Sequence, residues 1–462
     1  MSNFATGKQG AGVNLDVTMS DRFERMLADI ETGQARAGVI GLGYVGLPLA
    51  IACAEAGFNT IGYDIDITKS IQLAQGISYI TDVPQANIQR HLASGRFRPT
   101  SDTTELAKCD VLIVCVPTPL TAGREPDLTY LESTAVMIAD IHKPGALIVI
   151  ESTSFPGTTR EIVCPKLSIE GRTSGTDFYL AFSPERIDPG RTDFDARSTP
   201  KIISGDGKQA RSLAAAFYRQ VVSKIVEVSS VEVAEATKIT ENVFRAINIA
   251  LVNELKVIFD RMDIDVWEVI EAAATKPFGY MPFYPGPGLG GHCIPVDPFY
   301  LAWKAREVGN PSRLIELAGE INHEMPQYVL SRLAQALGGE SLEDLKSKHV
   351  LILGLSYKKD VSDTRESPAL WMISALKQLG AQVGYHDPLV PEIPLTRAHG
   401  ELAGIRSAPL SPETVRLQDA VIICTDHSDV DYQMVSECAS VLIDTRNVIT
   451  RLGLTPDGLT KA

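Results

Sequence analysis

The chain has 462 residues, enough for two or three domains that each bury a core. Its formal net charge of −14 argues against nucleic acid as a general partner, yet local amides and single cations still suffice to hold a phosphate. Hydrophobic content of 44% with 22% charged residues is that of a soluble globular protein, and no apolar run approaches the roughly 18 residues of a membrane helix.

The first 35 residues lack an apolar signal core: "MSNFATGKQGAGVNLDVTMS" reads as a flexible lead and "DRFERMLADIETG" as a short helix. From Ala37, short apolar runs alternate with helical segments. "AGVIGLG" predicts a strand, "YVGLPLAIACAEAG" a helix, "NTIGYDID" the next strand, and "DVLIVCVPTP" and "ALIVIESTS" two more. Strands apolar on both faces and separated by helices predict a parallel sheet covered on both sides. From Ser229 to roughly Ala274 there is no Gly or Pro, and apolar residues recur three and four apart. That predicts a long helix with one break near Met262–Asp263. Its apolar stripe needs a partner, and a homodimer interface is the natural one. The C-terminal part repeats the first grammar: "HVLILGLSYKKD" echoes the first strand and turn, "AQVGYHDP" the second strand, "DAVIICTDHS" the "DVLIVCVPTP" run and "SVLIDTRNV" the "ALIVIESTS" run. The expected fold is α/β, with two Rossmann-like doubly wound parallel-sheet domains joined by a long central helix. The expected boundaries are 1–35 for the extension, 36–228 for the first domain, 229–340 for the central helical region and 341–462 for the second domain.

Gly41, Gly43 and Gly46 spell G-x-G-x-x-G directly after a strand and at the mouth of a helix, the context that marks a dinucleotide site. The glycines allow a tight turn and bring a pyrophosphate close to helix-terminal amides, so Tyr44 and Val45 within the turn are candidate contacts too. Asp64 ends the second strand 23 positions after Gly41, where an acid accepts hydrogen bonds from ribose hydroxyls and repels a 2′-phosphate. No Arg follows in "DIDITK", so NAD is expected rather than NADP.

"GPGLGGHCIPVDP", Gly286 to Pro298, holds Cys293 in a loop whose glycines and prolines exclude helix and central strand. A thiol on a shaped loop is better placed to react than one packed in a strand-like run, as Cys115 and Cys424 are expected to be, but loop position alone leaves both roles open. The seven cysteines are odd in number and contain no CxxC pair, which fits free thiols in a reducing, cytoplasmic compartment rather than a disulfide framework or a metal site. Thr118 in "VPTP", Glu151, Ser152 and Thr153 in "ESTSFPGTT", and Glu185 and Arg186 after a Ser-Pro turn are polar groups near strand ends, where open α/β sheets bind ligands. Each is equally explained as a cap or turn device. Lys238 and Asn242 lie four apart on the long helix and share a face, a pattern that by itself is only a solvated charge beside an amide.

"GLGYVGLPLA", "VPTP", "ESTSFPGTT", "SPER", "EATKITENVFRAINIALVNEL", "GGHCIPVDP" and "GLSYKKDVSDTRESPA", spread in this order from Ala37 to about Val448, together resemble the UDP-glucose/GDP-mannose dehydrogenase family. The resemblance implies two Rossmann-like domains joined by a dimer helix, and oxidation of a sugar-nucleotide alcohol to a carboxylate with two NAD. "ATKPFGYMPFYPGPGLGGHCIPVDPFYLAWKAR" is similar to the branch acting on UDP-N-acetylhexosamines, with UDP-GlcNAc the favoured substrate. The "SPER" and "GGHCIPVDP" loops depart from the Asn-Pro-Glu-Phe type of the UDP-glucose branch. Carried over residue by residue, the resemblance makes Cys293 the nucleophile that holds the C6 aldehyde as a thiohemiacetal and then a thioester. Lys238 and Asn242 then stabilise a developing oxyanion, Glu185 and Asp297 handle water and protons, and Thr153 positions water near the nicotinamide. Pro117 and Thr118 join the glycine turn in the NAD site, and Arg365 reaches the NAD pyrophosphate. Lys358 and Arg446 hold UDP, while Arg186, Tyr284 and Gly290 line the sugar pocket. Lys276 stands where other branches direct an arginine at a neighbouring subunit's substrate, and His292 is read as shaping its loop.

The same residues admit other readings. UDP-glucose and UDP-ManNAc are alternative substrates. A two-electron hydroxyacid dehydrogenase of the 6-phosphogluconate type has a Rossmann domain and a helical middle, but needs neither the thiol nor a second nucleotide-like domain. A catalytically dead sugar-nucleotide sensor would lack one of Cys293, Lys238, Asn242, Glu185 or Asp297, and all five are present. The favoured expectation is a homodimeric or larger enzyme making a uronic acid for surface polysaccharide.

Overall fold

The computed structural model describes residues 19–80, 83–121, 123–186, 197–291, 293–396 and 398–462; the expected flexible lead over 1–18 lies outside them, and so does His292. A helix spans Met19–Glu31 ahead of the first strand, where the sequence predicts one. The first sheet is built from β1 (Arg36–Ile40), β2 (Asn59–Tyr63), β3 (Phe97–Thr100), β4 (Val111–Val114), β5 (Ala146–Ile150), β6 (Phe178–Phe182), β7 (Lys201–Gly205) and β8 (Ile225–Glu227). Among the described residues their order is β3-β2-β1-β4-β5-β6-β7-β8, so the winding changes direction between β1 and β4. Such a switch point opens a crevice at the carboxyl ends of the strands. Every residue of β4, β5 and β6 is buried, because apolar clusters cover both faces, which is why these strands read as continuous apolar runs.

The parallel pattern holds from β3 to β6 and then breaks. β7 runs antiparallel to β6, with Ala181 opposite Gly205 and Phe182 opposite Ser204. The start of β7 is thereby brought to the carboxyl end of β6, the crevice end of the sheet.

The second sheet holds β9 (His349–Leu353), β10 (Gln382–His386), β11 (Ala420–Ile423), β12 (Leu442–Asp444) and β13 (Leu459–Lys461). They are all parallel in the order β10-β9-β11-β12-β13 among the described residues. The internal repetition expected from sequence extends to single hydrogen bonds. Gly41 N–H donates to the Tyr63 carbonyl and Gly354 N–H to the His386 carbonyl, each at 2.8 Å. Asp64 accepts from Leu42 N–H at 2.8 Å, and Asp387 from Leu355 N–H at 2.7 Å. In both domains an aspartate ending the second strand thus fixes the turn that follows the first.

Between the sheets the central helix spans Val231–Asp260, with the Ser230 side chain accepting from Val233 N–H. It ends where the sequence places a break. Asp263 takes a left-handed φ of 56°, Ile264 N–H returns to the Phe259 carbonyl at 2.9 Å, and a second helix runs Val266–Ala274. The central helix packs on the helices Asp297–Glu307 and Arg313–Ala336, placing one of its faces beneath the crevice.

The glycine turn supplies a direct test of this packing. A Cβ on Gly46 would sit 1.8 Å from the Gly41 carbonyl oxygen, whereas one on Gly43 meets nothing within 4 Å. Gly46→Ala is expected to lose about 1–3 kcal/mol, read as a lower urea midpoint. Gly43→Ala should keep the midpoint and weaken dinucleotide binding alone, read by cofactor titration.

Candidate active site

At the first switch point, Gly41 (φ 91°) is pressed against the Cys115 carbonyl, where a Cβ would come within 2.6 Å. The helix Gly46–Glu55 begins at Val45 without a side-chain cap. A Cβ on Gly43 would meet nothing within 4 Å, so the uncapped positive end of the helix dipole has room beside it, an arrangement that fits a pyrophosphate. Asp64 is 5% exposed and also accepts from the Lys69 ammonium at 3.0 Å, a partner that the sequence pattern does not announce. The Thr118 carbonyl accepts from the Tyr300 hydroxyl at 2.9 Å, which ties "VPTP" to the helix Asp297–Glu307 and leaves Pro117 exposed beside it. From the second domain, the Arg365 guanidinium stands 4.8 Å over the Tyr44 ring, a cation–π contact that closes the cradle from the far side. The residues present fit NAD.

Deeper in the crevice the central helix meets the loop of Cys293. Asp297 is fully buried at the first position of its helix, and its backbone N–H donates to the Cys293 carbonyl at 2.8 Å. One carboxylate oxygen accepts from the Asn242 side-chain amide at 2.6 Å, while the other is buried with no hydrogen-bond partner. Burial pushes the Asp297 carboxyl up to about 6, against the Lys238 charge and the Asn242 hydrogen bond, which pull it down. Burial likewise lifts the Cys293 thiol above its ordinary value, with Lys238 acting in the opposite sense. For Lys238 itself, desolvation works against the ammonium, but Cys293, Asp297 and Glu185 outweigh it and raise its pKa. The face shared by Lys238 and Asn242 is thus buried against a thiol and a carboxylate.

Glu185 follows β6 and is held by a residue that sequence reasoning missed. Lys201, the first residue of β7, reaches Glu185 at 2.9 Å and Glu151 at 2.7 Å. The other Glu151 oxygen accepts from the Tyr218 hydroxyl. Arg186 pairs with Glu241 of the central helix at 2.6 Å, and Thr153 is half-buried in the loop after β5. A second missed residue is Glu235, one turn before Lys238. It is fully buried and accepts from Gly157 N–H at 2.7 Å, Thr159 N–H at 2.8 Å and the Thr159 hydroxyl at 2.6 Å. Burial lifts it to about 7. It joins the "ESTSFPGTT" loop to the central helix, and its only sequence signal is an acid three residues before Lys238 on the same helical face.

The second domain covers the Cys293 loop. A Cβ on Gly290 would lie 2.3 Å from the Tyr357 Cβ, and one on Gly286 would lie 2.8 Å from an Arg446 guanidinium nitrogen. Arg446 also donates to the Cys424 carbonyl at 2.8 Å, and Lys358 is half-buried on the turn after β9. Not every candidate is drawn in. Tyr284 is 47% exposed with its hydroxyl bonded to Glu271, and exposed Lys276 lies over the Phe278 ring at 5.1 Å.

A dinucleotide cradle opening onto a half-buried thiol, with cations supplied from a second Rossmann-like sheet, is the architecture of a nicotinamide-dependent dehydrogenase of nucleotide-linked substrates. The NAD-binding, central and UDP-binding domain models of the UDP-glucose/GDP-mannose dehydrogenase family match residues 35–222, 232–324 and 351–451. The chain belongs to that family and is an NAD-dependent UDP-sugar dehydrogenase. It is 35% identical over 396 residues to a UDP-N-acetyl-D-glucosamine 6-dehydrogenase of Pseudomonas aeruginosa, covering 85% of this chain and 91% of the relative. It is 34% identical over 421 residues to a UDP-N-acetyl-D-mannosamine dehydrogenase of Pyrococcus horikoshii, covering 90% and 96%. A solved UDP-D-ManNAc dehydrogenase structure from the same archaeon superposes with a TM-score of 0.82 at 33% identity, covering 92% of this chain and 98% of that one. No helix among the described residues is long and apolar enough to cross a membrane.

Asp297 supplies a pH test. Its carboxyl binds a proton more tightly folded, at about 6, than its ordinary 3.8, so the charge it must bury removes stability as pH rises through that interval. Asp297→Asn lacks this loss. Its unfolding free energy should gain on wild type by on the order of 1–3 kcal/mol between about pH 4 and pH 6, then run parallel above, in denaturant titrations across that range.

Proposed function

We propose that this chain oxidises the C6 alcohol of a UDP-N-acetylhexosamine, UDP-N-acetylglucosamine by preference, to the uronic acid in two successive oxidations. The observation that carries this reading is that half-buried Cys293 stands under the charges of buried Lys238 and of buried Asp297, which Asn242 holds. NAD, when bound, supplies the hydride acceptor for each oxidation. In the first, the alcohol proton leaves to the site, and the Lys238 ammonium and Asn242 amide stabilise the alkoxide as C6 becomes an aldehyde. The Cys293 sulfur then bonds to the aldehyde carbon and a proton passes to the aldehyde oxygen, giving a thiohemiacetal that stays attached between oxidations. The second oxidation leaves a thioester. Water ordered by Glu185 and Thr153 adds to its carbonyl, the C–S bond breaks, the sulfur regains its proton and the acid departs. Because burial lifts the free thiol, the Lys238 charge is what makes sulfur attack accessible.

The remaining candidates take binding roles in this reading. Gly41, Gly43, Tyr44, Val45, Gly46, Asp64, Pro117, Thr118 and Arg365 hold NAD. Lys358 and Arg446 hold the diphosphate, and Arg186, Tyr284 and Gly290 border the sugar. An acetamido sugar is supported by the names of both relatives above, and the glucosamine epimer by the bacterial one. The domain boundaries proposed are those expected from sequence, and the family models fall within them apart from Ala35. A homodimer is supported by Phe244, Leu251 and Ile258, seven residues apart on the central helix and 47%, 50% and 45% exposed. A cytoplasmic site and a product destined for surface polysaccharide complete the proposal.

NADH yield tests it. With UDP-GlcNAc, UDP-GalNAc, UDP-ManNAc and UDP-glucose in turn, the expectation is two NADH per sugar, fastest for UDP-GlcNAc. Cys293→Ala should turn over slower by about 10²-fold or more. One NADH per sugar, or undiminished turnover in the variant, contradicts it. Leu251→Glu is expected to halve the mass seen by light scattering to the 50.0 kDa of one chain; an unchanged mass places the interface elsewhere.

A further inference from the structure

Lys201 sits where, among the described residues, the first sheet abandons its parallel plan. Extending the β6–β7 register past Phe182 and Ser204 sets Lys201 opposite Glu185, so the antiparallel turn of β7 delivers an ammonium to the crevice end of β6. A parallel strand would have started at the other end of the sheet. Four elements converge there: Glu151 ends β5, Glu185 follows β6, Lys201 opens β7, and Tyr218 comes from the helix Lys208–Val221. The side chains of Lys201 and Glu151 are 6% and 0% exposed and that of Glu185 14%, and the ammonium also lies 5.3 Å over the Tyr218 ring. Enclosing one cation with two carboxylates is expensive, and apolar side chains would fill the same volume more cheaply. The arrangement leaves Glu185 with one oxygen on Lys201 and the other accepting its own Arg186 N–H at 2.8 Å. Its rotation is thereby fixed, and Glu185 remains the member of the cluster closest to solvent. Its field reaches Lys238.

We propose that Lys201 is the positioning residue that seats the Glu185 carboxylate for the attack of water on the Cys293 thioester. The inference rests on the roles given to Cys293 and Glu185 in the preceding subsection. In that step water adds to the acyl carbon, the C–S bond breaks, one water proton returns to sulfur through the site, and no oxidant is consumed. Glu151 and Tyr218 hold Lys201 from behind, so the cluster acts on hydrolysis and leaves sugar binding and the first oxidation alone.

The test compares Glu185→Gln with the double variant Lys201→Met/Glu151→Gln, in which the cation is removed without changing the net charge of the cluster. Each is mixed with NAD and UDP-GlcNAc and quenched in acid; the mass of the Cys293 peptide and the burst of NADH are then read. Both variants are expected to accumulate the acyl adduct on Cys293, with burst rate and kcat/KM for the sugar within about threefold of wild type, while kcat and KM fall together by about tenfold or more. Adduct in Glu185→Gln without adduct in the double variant overturns the role of Lys201 and leaves the reading of Glu185 intact. Adduct in neither removes the thioester step assigned to Cys293 and Glu185, and the inference with it. If circular dichroism shows the double variant unfolded, Lys201→Gln carries the same comparison, because its amide keeps one hydrogen bond without the charge.

Discussion

The structure depends most on the burial of the Lys238 ammonium beside Asp297 and Cys293. A charge taken from water costs several kcal/mol unless opposite charge and hydrogen bonds replace its hydration. The surrounding sequence is arranged to supply them. Asn242 lies one helical turn from Lys238 and binds the Asp297 carboxylate, while Asp297 N–H binds the Cys293 carbonyl. The central helix and the cysteine loop are thus fixed to each other through the groups that the proposed chemistry uses. The price appears in the same atoms: an unpartnered carboxylate oxygen on Asp297 and a thiol lifted by its own burial.

Both domains are needed to complete this pocket. The glycines of the cysteine loop are small because the loop lies against Tyr357 and Arg446 of the second domain, where side chains would collide. Arg365 crosses to Tyr44 at the dinucleotide turn. The two sheets share an architecture down to the aspartate that fixes each first turn, yet they differ at the turn itself. After β1 it is Gly-Leu-Gly-Tyr-Val-Gly, open to a pyrophosphate; after β9 it is Gly-Leu-Ser-Tyr-Lys-Lys, where lysines replace the later glycine and His427 packs against Ser356 at 2.8 Å. The first turn is small and open, whereas the second carries side-chain cations.

Local physics was legible in the sequence. The strands β1, β2, β4 and β5, the glycine turn, the central helix and its break near Met262–Asp263 all follow from periodicity and turn chemistry within a few residues. Contacts set by long-range register were not. Asn242 and Asp297 are 55 positions apart; the family resemblance named each for a separate role, and their hydrogen bond appears only in the fold. Lys201 was missed because its position depends on β7 running against β6, and an apolar run such as "KIISG" carries no mark of direction. Glu235 and Lys69 were missed for a related reason, since the loop amides and the aspartate they bind are neighbours only once folded.

The most direct measurement of the account is the pH dependence of iodoacetamide labelling at each cysteine, read by peptide mass in wild type and Lys238→Met. The account predicts that Cys293 labels ahead of the buried Cys53, Cys109 and Cys424, with a midpoint above the ordinary thiol value of 9.0 that moves higher still when the Lys238 charge is removed. A Cys293 that does not label, or whose midpoint is indifferent to Lys238, contradicts the coupled thiol–ammonium pocket on which the proposed chemistry stands.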